Sequence, residues 1–245
     1  MLKFGTSPYL ECSSRGDKRF SAFYARIASL GNKTIEELYQ AKKVFADGST
    51  GLSVKDAKGR KPVNIEQCRQ FYSELWRMFF SEHQGYLAEL ANSEYQGFCD
   101  IFGSADHACQ AEEVYNIVME QRHEMFMEEV DTCMANMEKY RHLICNRRWE
   151  DEEDLKDGIY CGRGSEWGND YSHLPNSSAK FKVKTRDEAV VMHRRQLIKR
   201  IESGQVSLHK LASLAGRKLI CYCAPSLCHC STLAAAAVWA KGELV

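Results

Sequence analysis

Residues 216–241 read GRKLICYCAPSLCHCSTLAAAAVWAK. The first part, GRKLICYCA, is a short apolar run bounded by a glycine and a proline, the pattern of a buried strand. The second part, SLCHCSTLAAAAVWAK, is rich in alanine and long enough for a helix. A strand that feeds a helix calls for partner strands, and the chain offers two upstream. HLICN (142–146) reads as a buried strand. IYCGRGSEWGN (159–169) reads as a strand running into a Gly-rich turn. Between them lies RRWEDEEDLKDG, an acidic solvated loop. TRDEAVVMHRRQLIKRIESG (185–204) carries a Thr N-cap, an acidic first turn, later basic residues and a closing Gly, which together specify a helix. The implied C-terminal region is a small α/β domain over 142–245.

Upstream the style is helical. Residues 1–30 mix aromatics with Gly, Ser and Arg and predict short strands and loops. TIEELYQAKKVF begins a helix with a capping box formed by Thr34 and Glu37, and DGSTGL stops it. Apolar residues recur at helical spacing over 64–92 (Cys68, Phe71, Leu75, Phe79, Tyr86, Leu87, Leu90) and again over 108–141. The chain therefore reads as α+β overall: a helix-rich domain over 1–141 and the small α/β domain after it.

The 245 residues suit such a pair of cores without disulfide staples. Lys and Arg total 33 and balance 33 Asp and Glu, so no global field draws bulk nucleic acid. MHRRQLIKR supplies only a local basic face. No apolar run reaches a membrane span, and MLKFGTSPYL lacks the apolar core of a signal peptide. With that start, eleven cysteines imply free thiols in a reducing cytoplasm.

Two stretches carry a resemblance. FSAFYARI (20–27) and IEELYQAKKVF (35–45) together resemble the NADAR/YbiA-like family of N-glycosidases, with its F-S-N-F turn and E-x-x-Y/F-Q-A-x-K helix. Phe20, Ser21 and Phe23 match the first motif, with Ala22 in place of Asn. Glu36, Tyr39, Gln40, Ala41 and Lys43 match the second. AKGRK (57–61) is similar to the family's G-R segment, and LWRMFFSEHQGYLAELA to a later helix. FGSADHACQAEEVYNIVM falls where the family has W-G-D-G and its last helix, with Phe102 for the Trp and Ser104 for the Asp. The likeness extends over about residues 3–120. It implies a nucleotide-processing hydrolase acting on an N-glycosidic or ADP-ribose-type bond, with Glu36 catalytic. Substrate-binding residues would be Phe20, Phe23, Tyr39, Gln40, Lys43, Arg60, Ser104, Asp106 and His107. The chemistry is compatible: a carboxylate stabilises the charge that develops on the sugar, and Lys43 with Arg60 suits ribose phosphates. Spacing alone favours reading Glu36 and Lys43 as ordinary exposed helix residues, and the three aromatics read equally as core or as substrate-stacking rings. Ser104 in place of an acid favours the alternative, a non-catalytic phage-type protein that sequesters a nucleotide or blocks a host protein. Modified nucleic acid is a further partner this reading admits.

The C-terminal region resembles a short domain of uncharacterised function common in phages and bacteria. Its pattern is met by Asn146, then Tyr160, Gly162, Arg163, Gly168 and Asn169, then Thr185, Arg186, Glu188 and Ala189. It closes with Lys218, Leu219 and a C-x-C-x-P-x-x-C-H run of Cys221, Cys223, Pro225, Cys228 and His229. Cys221 and Cys223 share a strand face. Cys228 and His229 fall at a helix start, where thiolates and anions are favoured. Zinc ligands are available by count. All lie on one strand–helix turn, however, which argues against tetrahedral closure. The expectation is therefore no metal and no cofactor. In its place stands a second, anion-binding site of Gly162, Arg163, Asn169, Cys221, Cys223, Cys228 and His229, or a plain buried cluster, with Cys230 incidental.

Overall fold

The computed structural model describes residues 8–100 and 109–245. They form a mixed α+β chain of two compact units, Met1–Glu124 and Met125–Val245. The division falls inside one long helix, earlier in the chain than the change of sequence style near residue 141.

In the first unit, β1 (Tyr9–Glu11) pairs in parallel with β4 (Gly97–Cys99). Between them run the antiparallel pair β2 (Arg26–Ile27) and β3 (Lys33–Thr34), then α1 (Ile35–Lys42), α2 (Val54–Ala57), α3 (Ile65–Glu82) and α4 (Gln84–Asn92). The long helix α5 (Gln110–Tyr140) follows. Its first half supplies Ala111, Val114, Ile117 and Val118 to a core that includes Phe20, Ile27, Ile35, Leu75, Trp76, Phe80 and Leu90. The pattern over 64–92 predicts one helix, but the structure breaks it at His83. The His83 ring donates from Nδ1 to the Phe79 carbonyl at 2.9 Å, and its own amide turns instead to Phe80 O. Gly85, a poor helix former, follows at once. The carbonyl end of α4 is then capped from α5. The Arg122 guanidinium donates to the carbonyls of Leu90, Ala91, Ser93 and Tyr95 at 2.9–3.1 Å. These include the orphan acceptors that a helix end leaves unmet.

In the second unit, β5 (Ile144–Asn146), β9 (Leu219–Cys221) and β6 (Ile159–Tyr160) form an all-parallel sheet in the order β5-β9-β6. Strand β9 is central and buried along its whole length, as an apolar run in a covered parallel sheet should be. Short α6 (Glu152–Leu155) lies in the acidic loop. A separate parallel pair, β7 (Tyr171–Ser172) and β8 (Phe181–Lys182), precedes α7 (Arg186–Glu202) and α8 (Leu208–Ala212). Helix α9 (His229–Glu243) closes the unit. It buries Leu233, Ala234, Ala237 and Ala240 in the core, where small side chains permit close approach. The basic face of α7 is partly neutralised, since Arg194 and Arg195 both pair with Glu129.

Candidate functional site

Helix α1 starts as its sequence predicts. Thr34 Oγ1 accepts the Glu37 amide at 3.1 Å, and Glu37 Oε2 accepts the Thr34 amide at 2.7 Å. The turn carrying Phe20–Ala25 docks on this start. The Ala22 carbonyl accepts the Glu36 amide, and the Ala25 carbonyl accepts the Ile35 amide, both at 2.9 Å. The two motifs that carry the N-glycosidase resemblance are thereby joined through their backbones. A buried side chain from α5 adds a third tie: Gln110 Oε1 accepts the Ala22 amide at 2.7 Å. No spacing rule points to Gln110, because its partner lies far away in the chain.

The polar face of α1 is half-buried. Gln40 Nε2 donates to Glu36 Oε1 at 2.7 Å, one turn apart. Gln40 Oε1 and the nearby turn's Ser21 Oγ are buried with no hydrogen-bond partner among the described residues, so this face carries unmet acceptor capacity. The Lys43 ammonium lies 4.6 Å from the centre of the Tyr39 ring. Burial pulls the Lys43 pKa below the lysine range, while the charges of Glu36 and Cys68 push it back up. Tyr39 packs on Tyr72 with ring centroids 4.8 Å apart. Burial, then the charges of Cys68 and Glu36, raise the Tyr39 phenol. Glu36, Tyr39, Gln40 and Lys43 thus form one polar cluster, a carboxylate with an amide, a cation and an aromatic face.

Other expected members lie elsewhere. Phe20 is fully buried and packs on Phe80 and Tyr86. It is core rather than a stacking platform. Phe23 is exposed. Arg60 is committed to Asp47 at 2.7 Å and Ser49 at 2.8 Å, and stacks on Phe45. That pairing leaves Lys43 as the cation of the α1 cluster. Ser104, Asp106 and His107 lie outside the described residues.

In the second unit the Gly-rich turn is built for packing. A Cβ on Gly162 would come 2.2 Å from the Tyr160 hydroxyl, and one on Gly168 would come 2.7 Å from the Gly162 carbonyl. Asn169 donates to Ala189 O at 3.0 Å and accepts from the Tyr171 amide at 2.8 Å, so its amide is already used. Arg163 is exposed, with one contact to Ser172 Oγ at 3.3 Å. Gly162 and Asn169 are thus committed to contacts within the fold, which leaves Arg163 as the exposed polar member of the expected anion site.

The cysteines, by contrast, converge. The side-chain donor atoms of Cys221, Cys228, His229 and Cys230 all lie within 4.8 Å of one another, and all four residues are buried. Cys221 projects from the end of β9. Cys228 is the N-cap of α9, and its side chain makes no capping bond. His229 and Cys230 open the helix. The argument that one turn is too crowded to close a tetrahedron fails, because the extended Cys228 backbone and the strand end approach the same point from two sides. Cys230, expected to be incidental, is an equal member. Half-exposed Cys223 stands at the rim, 3.5 Å from Cys221 Sγ.

His229 is oriented within the nest. Its Nε2–H donates to the Cys161 carbonyl at 2.8 Å, and Nδ1 faces Cys221 Sγ at 3.8 Å and Cys228 Sγ at 3.9 Å. Burial lowers the imidazole pKa, but hydrogen bonds with Cys221 and Cys223 outweigh it and carry it to about 10. Hydrogen bonds from Cys223, Cys228 and Cys230 hold the Cys221 thiol far below the usual range. A second buried imidazole, His193, packs edge-on against His229 at 4.8 Å, and its Nδ1 has no partner among the described residues. Asn146 reaches from β5 to the loop after β9, donating to the Ala224 carbonyl, while its Oδ1 accepts the Arg148 amide. Among the described residues no cysteine is in a disulfide.

Residues 144–239 match the model of a family described as a domain of unknown function (DUF4326). That span holds the whole β5-β9-β6 sheet and the cysteine nest. No curated protein and no solved structure matches the chain.

Proposed function

We propose that the chain is a nucleotide-processing enzyme that hydrolyses an N-glycosidic or ADP-ribose-type bond, with Glu36 as its key carboxylate. One observation carries the reading: Glu36 and Lys43 share a half-buried face with Gln40 and Tyr39. The likeness of these same residues to the NADAR N-glycosidases adds to it. Departure of the base leaves positive charge on the ribose ring. A carboxylate beside that carbon stabilises the charge or takes a proton from the attacking water. Gln40 holds the Glu36 oxygen in one place, so little reorganisation is needed. Lys43, whose ammonium lies over Tyr39, pairs with a phosphate oxygen, and the aromatic ring offers a surface for a base. A cytoplasmic setting suits the free thiols.

The test is hydrolysis of a panel of ribonucleosides, NAD, ADP-ribose and ADP-ribosylated bases, with binding measured in parallel. The wild type is expected to cleave a panel member. Glu36→Gln is expected to retain binding and to lose about 10²–10³ in rate. Equal cleavage by the variant removes Glu36 from the chemistry. Binding without any cleavage favours the second reading, a protein that sequesters a nucleotide or blocks a host protein, which Ser104 in place of the family's acid supports.

A further inference from the structure

We propose that the cysteine nest of the second unit is a tetrahedral centre for a thiophilic divalent ion, zinc above all, held by the thiolates of Cys221, Cys228 and Cys230 and by Nδ1 of His229. The proposal is independent of the glycosidase reading, which concerns the other unit.

Three features carry it. The first is convergence. A tetrahedral zinc with Zn–S bonds of about 2.3 Å sets its ligand atoms about 3.8 Å apart. His229 Nδ1 lies 3.8 Å from Cys221 Sγ and 3.9 Å from Cys228 Sγ, and all four donors fall within 4.8 Å. Small side-chain shifts close the set. The second is the state of the histidine. Its Nε2–H is fixed on the Cys161 carbonyl at 2.8 Å, which leaves the Nδ1 lone pair for a metal. This is the outer hydrogen bond that ligating histidines usually make. The third is burial without pairing. All four residues are buried, none of the thiols is in a disulfide, and thiols are only weak hydrogen-bonding partners for one another. A soft cation meets this donor set better than the donors meet each other.

A zinc centre of this kind holds three thiolates and a neutral imidazole, so any protons on the three sulfurs and on Nδ1 leave to solvent on binding, and the centre carries net charge minus one. Cys228, His229 and Cys230 lie at the N-terminus of α9, where the helix dipole favours thiolates. Four protein ligands leave no open position, so the centre is structural. It fastens the end of β9 to the start of α9.

The experiment uses untagged full-length protein. Native mass spectrometry and elemental analysis are expected to find stoichiometric zinc. Replacement by cobalt is expected to give the visible bands of tetrahedral cobalt with thiolate charge transfer. X-ray absorption is expected to fit three sulfurs and one nitrogen. Cys223→Ser is expected to keep the metal and Cys230→Ser to lose most of it. Should Cys230→Ser not fold, the absorption fit on the wild type still counts the ligands. Folded protein that takes up neither zinc nor cobalt overturns the centre. Loss of metal in Cys223→Ser with retention in Cys230→Ser overturns the ligand set.

Discussion

Helices α1 and α9 both begin beside a negatively charged group, and they use their first residues in opposite ways. Thr34, the N-cap of α1, commits its hydroxyl to the helix, and Glu37 returns the favour. The proposed catalytic carboxylate, Glu36, is thereby released to face a half-open surface. Cys228, the N-cap of α9, gives no side-chain bond to its helix. Its sulfur turns inward to His229 and Cys221. A self-sufficient cap frees its neighbours for chemistry with a visiting ligand, whereas an unused cap makes the helix start part of a closed internal centre. The first arrangement predicts large effects on rate and small effects on stability. The second predicts the reverse.

The largest stability effect is expected from His229→Ala. The change opens a cavity at a buried site and leaves the Cys161 carbonyl without its 2.8 Å donor. It also removes the ring nitrogen that faces Cys221 Sγ at 3.8 Å. The loss should exceed about 3 kcal/mol in denaturant titrations of the C-terminal transition. A loss below about 1 kcal/mol would place the nest outside the structural framework and break the contrast.

Next is Arg122→Met, which keeps the stem but removes the cap on α4. Carbonyls of Leu90, Ala91, Ser93 and Tyr95 lose a charged donor, for an expected loss of about 2 kcal/mol. Hydrogen exchange of the N-terminal unit is the sharper readout. Amides 84–92 should lose protection first if the cap acts locally, and a uniform loss would show a global role instead.

Much of this was legible in the sequence, and the exceptions have common causes. The capping box of Thr34 and Glu37, the long helix over 108–141 and the strand–strand–helix–strand–helix order after 142 follow from local pattern alone. Local rules failed wherever a contact spans many residues. Gln110 holds Ala22, Arg122 caps α4, and the Cys161 carbonyl orients His229, all across long stretches of chain. They also failed where one side chain does two jobs. The His83 ring takes a carbonyl that an amide would have taken and splits a helix whose apolar spacing continues through the break. Phe20 lies in a motif that suggested ligand contact, yet its packing makes it core. Asn169 and Gly162 resemble parts of an anion loop, but their atoms are used within the fold. The cysteine nest was visible as a list of residues. Its closure depends on the extended Cys228 backbone, which no periodicity encodes.

Thr34→Ala tests the α1 side of the contrast. It removes the hydroxyl that accepts the Glu37 amide and leaves the Glu37 carboxylate with the Thr34 amide alone. A cost of about 1 kcal/mol is expected. If cap and carboxylate are separate devices, binding of a nucleotide to the remaining folded protein should be unchanged. A matched loss of affinity would show that the cap also positions Glu36.

The smallest stability effect is expected from Glu36→Gln, and it is the most telling comparison with His229→Ala. The side chain is half-buried and accepts one hydrogen bond, from Gln40 at 2.7 Å. A glutamine carbonyl at the same place accepts it equally, so stability should stay within about 0.5 kcal/mol of wild type. The charge, however, is gone. The Glu36 charge is the main influence holding the Lys43 pKa up against burial. In the variant the lysine should therefore titrate lower still. Because its charged form is already disfavoured in the fold, that cost applies at pH values below its folded pKa and fades as pH rises through it. Phosphate binding that depends on the Lys43 cation should weaken with rising pH before the ordinary lysine range is reached, and earlier in Glu36→Gln than in wild type. An NMR titration of the Lys43 side chain reads both effects. Identical lysine titrations in the two proteins would show that Glu36 and Lys43 do not sense one another, and the α1 cluster would then lose its claim to act as one site.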